Sequence, residues 1–232
     1  MYLNHSTALL PGRWLGLGLL LSFGLGIWSN FQLQPQVFAA PGFLLRAAGM
    51  PLQVGMIAMA GLVTAVIALV IAAALRGLYG TQQPLLTRCH VAMVAASLAT
   101  TLFEGTLVLA MRSVSEAFLA SGADSTAYEP ARAVLRGLRD GVHFADKLLG
   151  GICVVLMYLL LYRARAIPRL LAAAGMLAGM LQWIAVARGL FGLEVLHVLL
   201  VPLGLAYPLT GLWLLARGLE GRPVSVATSG PA

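Results

Sequence analysis

The chain has 232 residues, of which 60% are hydrophobic and only 10% are charged. Water-soluble domains carry about 25% charged residues, and a soluble core cannot absorb this much apolar side chain without exposing large patches, so a soluble globular protein is excluded. The net charge is +7, but the basic residues lie at the ends of apolar runs and form no basic stripe, which argues against nucleic acid as a partner.

Six apolar runs are each long enough to cross a hydrocarbon core about 30 Å thick. They predict transmembrane helices at 15–31, 50–78, 85–111, 142–162, 170–187 and 195–216. The first run could also be the core of a signal peptide, but Pro41 would follow the cleavage site and Trp28 suits an interfacial anchor. We therefore predict a retained first helix. The expected fold is an all-α integral membrane bundle of about six transmembrane helices, a single domain over 1–232 surrounded by membrane lipid.

The only long connection lies between the third and fourth runs. Pro130 can open a helix there, and the apolar residues that follow share one face while arginines occupy another. The apolar residues are Ala131, Val134, Leu135 and Leu138, and the arginines are Arg132, Arg136 and Arg139. This pattern predicts an interfacial amphipathic helix lying on the membrane surface. A short soluble cap over the bundle is the alternative.

The arginines near the ends of the runs indicate an orientation. One side would hold Arg13, Arg76, Arg88, Arg163, Arg165, Arg169, Arg217 and Arg222. The other would hold Arg46, Arg112, Arg132, Arg136, Arg139 and Arg188, with Lys147 near it. The margin is small, but three arginines fall within the seven residues from Arg163 to Arg169. We therefore predict that both termini are cytoplasmic.

Three segments resemble a bacterial membrane protein family, domain of unknown function 4386. The stretch YLLLYRARAIPRLLAAAGMLAGM (158–180) is similar to a loop and helix of that family, LTGLWLLARG (209–218) to the end of its last helix, and GRWLGLGLLLSFGLGIW (12–28) to its first helix. The resemblance is strongest over 150–218. It implies a six-helix protein of the bacterial cytoplasmic (inner) membrane and no particular activity. The chain departs from the family pattern at HFADKLLGG (143–151), where that family is apolar or glycine-rich.

Ionisable side chains inside a bilayer are costly and are candidate functional residues by default. Seven qualify here: Glu104, His143, Asp146, Lys147, Arg188, Glu194 and His197. With cytoplasmic termini, the direction of each helix puts all seven in the outer half of the membrane. His143, Asp146 and Lys147 have the i, i+3, i+4 spacing that places side chains on one helix face.

Three interpretations of these residues remain open. Glu194 and His197 form an ExxH pair that, with carboxylates from other helices, resembles the ligands of metal-binding bundles. The candidate ligands for such a divalent metal (zinc, manganese or iron) are Glu104, His143, Asp146, Glu194 and His197.

The second interpretation is that the charges form structural ion pairs, Lys147 with Glu104 and Arg188 with Glu194. Such pairs mainly offset the free energy that burying their charges costs.

The third interpretation is an acid–base site. Glu104 is the deepest acid and is the candidate proton donor or acceptor. The predicted catalytic set is Glu104, His143, Asp146, Lys147 and His197, contributed by the third, fourth and sixth helices. Such a set could act on a hydrophobic small molecule that enters from the bilayer. A non-enzymatic bundle, either a proton-linked carrier or a purely structural protein, is the competing hypothesis.

Overall fold

The computed structural model describes residues 6–122 and 125–220. Every regular element in these ranges is helical. Six helices are long and apolar enough to cross a membrane. The predicted all-α, multi-spanning architecture is therefore confirmed. Arg222, which enters the predicted orientation, lies outside the described residues.

The first span is interrupted by a π-helical turn. α1 (Ser6–Trp28) continues through this turn (Ser29–Leu33) into α2 (Gln34–Phe38). The remaining helices are α3 (Phe43–Arg46), α4 (Pro51–Tyr79), α5 (Pro84–Ala120), α6 (Ser125–Arg163), α7 (Arg169–Leu190) and α8 (Val201–Arg217), with 3-10 turns at Ala47–Gly49 and His197–Leu200. Proline stands in the first turn of α4, α5 and α8, where it has no intrahelical hydrogen bond to lose.

The six spans form a closed ring in which each packs against its neighbours in sequence. α1 packs on α4, α4 on α5, α5 on α6, α6 on α7 and α7 on α8, and α8 returns to α1. The closure depends on glycine, because a Cβ on Gly16 would lie 2.6 Å from the carbonyl oxygen of Gly211. Small residues of this kind let helix backbones approach closely within lipid.

The ring has two ends. The near end carries the α4–α5 turn (80–83) and the α6–α7 loop (164–168), and the far end carries the α5–α6 and α7–α8 turns. The near half is filled by one apolar cluster drawn from α1, α4, α6, α7 and α8, with Tyr158 fully buried in it. The Tyr158 hydroxyl reaches across the ring to α8, where it donates to the Ala206 carbonyl oxygen at 3.1 Å. Apolar side chains therefore occupy most of the near half and the Tyr158 hydroxyl is paired, while His90 Nδ1 and Trp213 Nε1 are buried there without a hydrogen-bond partner among the described residues.

α5 and α6 are longer than the sequence predicts. They have 37 and 39 residues, which correspond to about 55 and 58 Å, almost twice the hydrocarbon thickness. The amphipathic segment is helical, as predicted, but it is the first part of α6 and not a separate helix on the surface. The helix begins at Ser125, so Pro130 lies inside it and does not open it. No proline follows Pro130 before the end of α6, so backbone hydrogen bonding continues into the fourth span. The segment packs on α5, where the rings of Phe118 and Tyr128 meet edge-on at 5.6 Å.

Candidate acid–base site

A stripe of polar side chains runs along α5 in the far half of the ring. Ser97, Thr100, Thr101 and Glu104 have the spacing i, i+3, i+4 and i+7, which places them on one helix face. This face meets α6 on the side that carries Asp146, as the hydrogen bonds between the two helices show. The apolar third and fourth spans thus enclose a polar contact between them.

Asp146 is the most fully hydrogen-bonded member of this contact. The hydroxyls of Ser97, Thr100 and Thr101 lie 3.2, 3.1 and 2.9 Å from its Oδ1 atom. Its Oδ2 atom accepts a hydrogen bond from the Lys147 ammonium at 3.1 Å. The hydroxyls of Thr100 and Thr101 also lie 2.8 and 2.9 Å from the Ser97 carbonyl oxygen, so each shares its one proton between two acceptors. The Asp146 side chain is only 12% exposed, and these donors replace the water that burial removes.

Glu104 has a different environment one helical turn away. Its Oε1 atom lies 3.0 Å from Nδ1 of His143, and His143 is its single hydrogen-bond partner within the described residues. The Glu104 side chain is 14% exposed and the His143 side chain is 28% exposed. The Glu104 carboxylate therefore keeps unused hydrogen-bonding capacity. Its partner, the His143 imidazole, is the more exposed of the two side chains.

A cavity of about 100 Å³ lies beside Glu104, between α1, α4, α5 and α6. Its polar lining includes Asn30, Gln34, Thr64, Glu104, Asp146 and Lys147. His143 does not line it, so Glu104 stands between the imidazole and the cavity. The space is large enough for a few water molecules or one small polar group.

The π-helical turn of the first span builds one wall of the cavity. Gln34 Nε2 donates to Asn30 Oδ1 at 3.0 Å, and the Arg139 guanidinium donates to Gln34 Oε1. Arg139 also stacks over the Phe38 ring at 4.1 Å. These contacts tie α6 to the first span at the far end. π-Helical turns often occur at functional sites, because they redirect side chains within a helix.

The predicted five-residue metal set is not assembled. Glu194 lies in the non-helical segment 193–196 and His197 begins a 3-10 turn, so the pair has no common α-helical face. Both side chains are exposed at the far end. Within the described residues, no group of three or more His, Cys, Asp and Glu side chains could hold a metal ion. The glycine at 192 adopts a positive φ of 70° and ends α7 before the ExxH motif begins.

The ion pairs also differ from those predicted. Lys147 bonds to its sequence neighbour Asp146 and not to Glu104, which takes His143 instead. Arg188 does reach across the turn to residue 194, but its Nε donates to the backbone oxygen of Glu194 at 3.2 Å and not to the carboxylate. The charges of the third and fourth spans therefore sort into two separate pairs.

The site is lined by the first four spans, whereas the sequence predicted the third, fourth and sixth. α8, the sixth span, packs between α7 and α1 on another side of the ring. His197, at the start of that span, is consequently separated from the predicted catalytic set. Of that set, the structure brings together Glu104, His143, Asp146 and Lys147.

Sequence reasoning missed the neutral polar residues of the site. The hydroxyls at 97, 100 and 101 were overlooked because serine and threonine are common in apolar spans, where they often bond to their own backbone. Their spacing with Glu104 was the available signal. Asn30 and Gln34 gave a weaker signal for the site, because the sequence did not indicate the π-helical turn at Ser29–Leu33.

Comparison with curated proteins and with solved structures gives no match. A family model does match, and it covers residues 14–218, which include five spans completely and all but the first four residues of the first span. The chain therefore belongs to the family described as Domain of unknown function (DUF4386).

Proposed function

We propose that the protein is a small membrane enzyme in which Glu104 exchanges a proton with a substrate bound in the far-half cavity. The observation that carries this proposal is the unequal satisfaction of the two buried acids. Both acids line the cavity, but Asp146 has four possible donors, two of them shared with the Ser97 carbonyl oxygen, while Glu104 has one. A carboxyl group with free hydrogen-bonding capacity beside a cavity is the arrangement that general acid–base catalysis requires.

His143 serves as the proton partner of Glu104. The imidazole Nδ1 lies at hydrogen-bond distance from the carboxylate, and the ring is twice as exposed as the carboxylate. When Glu104 gives its proton to a substrate oxygen or nitrogen, the imidazolium form of His143 can return one through this hydrogen bond. When Glu104 acts as a base, the proton leaves by the same path.

The size of the cavity restricts the substrate class. Pockets for complete drug-sized ligands have volumes of about 300–1,000 Å³, whereas this cavity has about 100 Å³. It therefore accommodates the polar end of an amphiphilic molecule, such as a hydroxyl, carboxyl or phosphate group. The hydrophobic remainder of the substrate would stay in the surrounding lipid.

The hydrogen bonds of Asp146 and Lys147 support a structural role for this ion pair. Their hydrogen bonds are mutual or directed at α5, and Gln182 Nε2 of α7 donates to the Lys147 carbonyl oxygen at 3.3 Å. We propose that this pair holds α5, α6 and α7 in register and so positions Glu104. The catalytic role then belongs to Glu104 and His143.

We further propose that the protein resides in the bacterial cytoplasmic membrane with the near end in the cytoplasm. The cluster of three arginines in the α6–α7 loop supports this orientation. A chain with Cys89 and Cys153 replaced by alanine would carry a single new thiol, Thr81→Cys at the near end or Ser121→Cys at the far end. In intact spheroplasts an impermeant thiol reagent should label only Ser121→Cys, and labelling of Thr81→Cys alone would reverse the orientation.

The enzymatic proposal is tested with bacterial membrane lipid extract and purified protein. Extract incubated with wild type is compared by mass spectrometry with extract incubated with Glu104→Gln or His143→Gln. We expect an amphiphile whose mass changes with wild type and not with either variant. Glu116→Gln, on the same helix but in an exposed pair with Arg112, is the matched control and should behave as wild type. A product made equally by Glu104→Gln would refute the role of Glu104.

A further inference from the structure

Seven arginines surround the near end of the ring, and all seven side chains are exposed. They are Arg13, Arg76, Arg88, Arg163, Arg165, Arg169 and Arg217. None of them forms a salt bridge within the described residues, where Glu220 is the single acid at this end. The near end thus presents uncompensated positive charge.

The far end carries basic residues as well, but most of these are paired with acids, and Arg46 and Arg188 donate to backbone oxygens. Arg112 lies 2.8 Å from Glu116, Arg132 lies 2.7 Å from Glu129, and Arg136 lies 3.8 Å from Asp140. The two ends differ less in how many arginines they carry than in how many of those arginines have an acid partner. Seven guanidinium groups without an acid partner at one end, against mostly paired ones at the other, indicate that the near end meets an external anion.

Five of the near-end arginines lie on segments that contact one another: Arg13, Arg163, Arg165, Arg169 and Arg217. The backbone N–H of Glu220 donates to the Ala166 carbonyl oxygen at 2.8 Å, which joins the segment after α8 to the α6–α7 loop. A Cβ on Gly12 would lie 2.5 Å from the backbone of Leu219, so α1 meets the same segment. The arginines of α1, the α6–α7 loop and α8 therefore surround a common point.

Aromatic side chains fix the depth of this surface relative to lipid. The Arg169 guanidinium lies 5.7 Å from the Tyr162 ring centre, and the Arg217 guanidinium lies 5.9 Å from that of Trp213. Tyrosine and tryptophan are enriched where hydrocarbon gives way to headgroups. Guanidinium groups at that level match phosphate oxygens in geometry and charge.

We propose that this arginine surface binds the phosphate headgroups of anionic phospholipids. Lipid is favoured over free phosphate because the arginines are exposed around the rim of the spans and build no enclosed site that would strip water from a small anion. A headgroup, in contrast, is held at the rim by its own acyl chains. Each basic residue near an anionic membrane surface contributes roughly a fivefold gain in binding.

The test uses the full chain in detergent, with phosphatidylglycerol and phosphatidylcholine supplied in equal amounts and the retained lipids measured by mass spectrometry. The variant Arg163→Gln/Arg165→Gln/Arg169→Gln removes charge at the near end. The matched control, Arg112→Gln/Arg132→Gln/Arg136→Gln, removes the same charge at the far end. Gel filtration establishes that both variants remain folded, and the lipid ratio is measured within each sample.

Wild type and the far-end control should retain phosphatidylglycerol preferentially. In the near-end variant, the ratio of retained phosphatidylglycerol to phosphatidylcholine should fall at least tenfold. The preference should also fall with added salt, which screens exposed charges. Equal loss in both variants, or no preference in wild type, would overturn the proposal. Displacement of the lipid by inorganic phosphate at matched ionic strength would instead indicate a free-anion site and would overturn it as well.

Discussion

The two halves of the ring differ in where a buried acid meets open space. In the near half, the Tyr158 hydroxyl lies within hydrogen-bond distance of Thr210 and of the Ala206 carbonyl oxygen, and apolar side chains pack around it. The buried nitrogens without a partner there belong to His90 and Trp213 and not to an acid. In the far half, Glu104 makes one hydrogen bond and faces a cavity. The same spans build both halves, so the difference is not required by the fold. Unused polar capacity next to open space is where a membrane bundle can perform chemistry.

A second comparison holds within the far half. Asp146 and Glu104 are both acids on neighbouring helices, but Asp146 is enclosed by donors from α5 and by Lys147. Removing Asp146 should therefore damage the fold, whereas neutralising Glu104 should damage only the proton exchange. The predictions that follow separate these two outcomes.

The largest expected effect on stability is that of Asp146→Ala. The change removes the acceptor of the Ser97 hydroxyl and of the Lys147 ammonium, and each buried donor left unsatisfied costs about 1–3 kcal/mol. The hydroxyls of Thr100 and Thr101 keep the Ser97 carbonyl oxygen as acceptor. Denaturation of the purified protein by detergent would measure the loss. Asp140→Ala, on the same helix with a side chain that is 45% exposed, should cost about 1 kcal/mol or less. Equal losses for the two variants would remove the structural role assigned to Asp146.

The next effect concerns the near half, where Gly16→Ala should force α1 away from α8. The new methyl group would meet the Gly211 carbonyl oxygen at 2.6 Å, and neither backbone can yield easily. Overpacking of this kind costs about 1–3 kcal/mol. Gly24→Ala, in the same helix with nothing within 4 Å of its Cβ, should be neutral or slightly stabilising in the same denaturation assay. A neutral Gly16→Ala would show that the α1–α8 contact is looser than described.

Glu104→Gln should change stability by only about 1 kcal/mol, since a neutral amide preserves the shape and can still bond to His143. The variant should unfold near wild type in the same assay while its activity on lipid extract is lost. A loss of stability comparable with that of Asp146→Ala would instead make Glu104 a structural residue and would weaken the enzymatic proposal.

The smallest effect should come from the exposed ion pairs of the far end. Arg112→Gln breaks an i, i+4 pair whose side chains are 37% and 46% exposed, and such pairs contribute about 0.3–0.5 kcal/mol. The difference should disappear in high salt. An effect that persists in salt would imply that this pair has a further partner in the membrane.

The sequence predicted the architecture well because hydrocarbon thickness limits the length of each span, and apolar runs report that length directly. It failed at the ExxH motif, since motif spacing has meaning only if the segment is helical, and Gly192 ends α7 before the motif begins. It also mispaired Lys147 with Glu104. Helix rotation decides such pairings, and rotation depends on close contacts like that of Gly179 against Val155, which a linear pattern does not contain.

The central claim is that Glu104 exchanges a proton while Asp146 does not. Infrared difference spectroscopy of the reconstituted protein during a pH titration tests it most directly, with the carboxyl stretching band compared between wild type, Glu104→Gln and His143→Gln. We predict a carboxyl band that appears and disappears reversibly within the pH range of the folded protein, is missing in Glu104→Gln and shifts in pH in His143→Gln. A wild-type spectrum identical to that of Glu104→Gln throughout this range would contradict the claim.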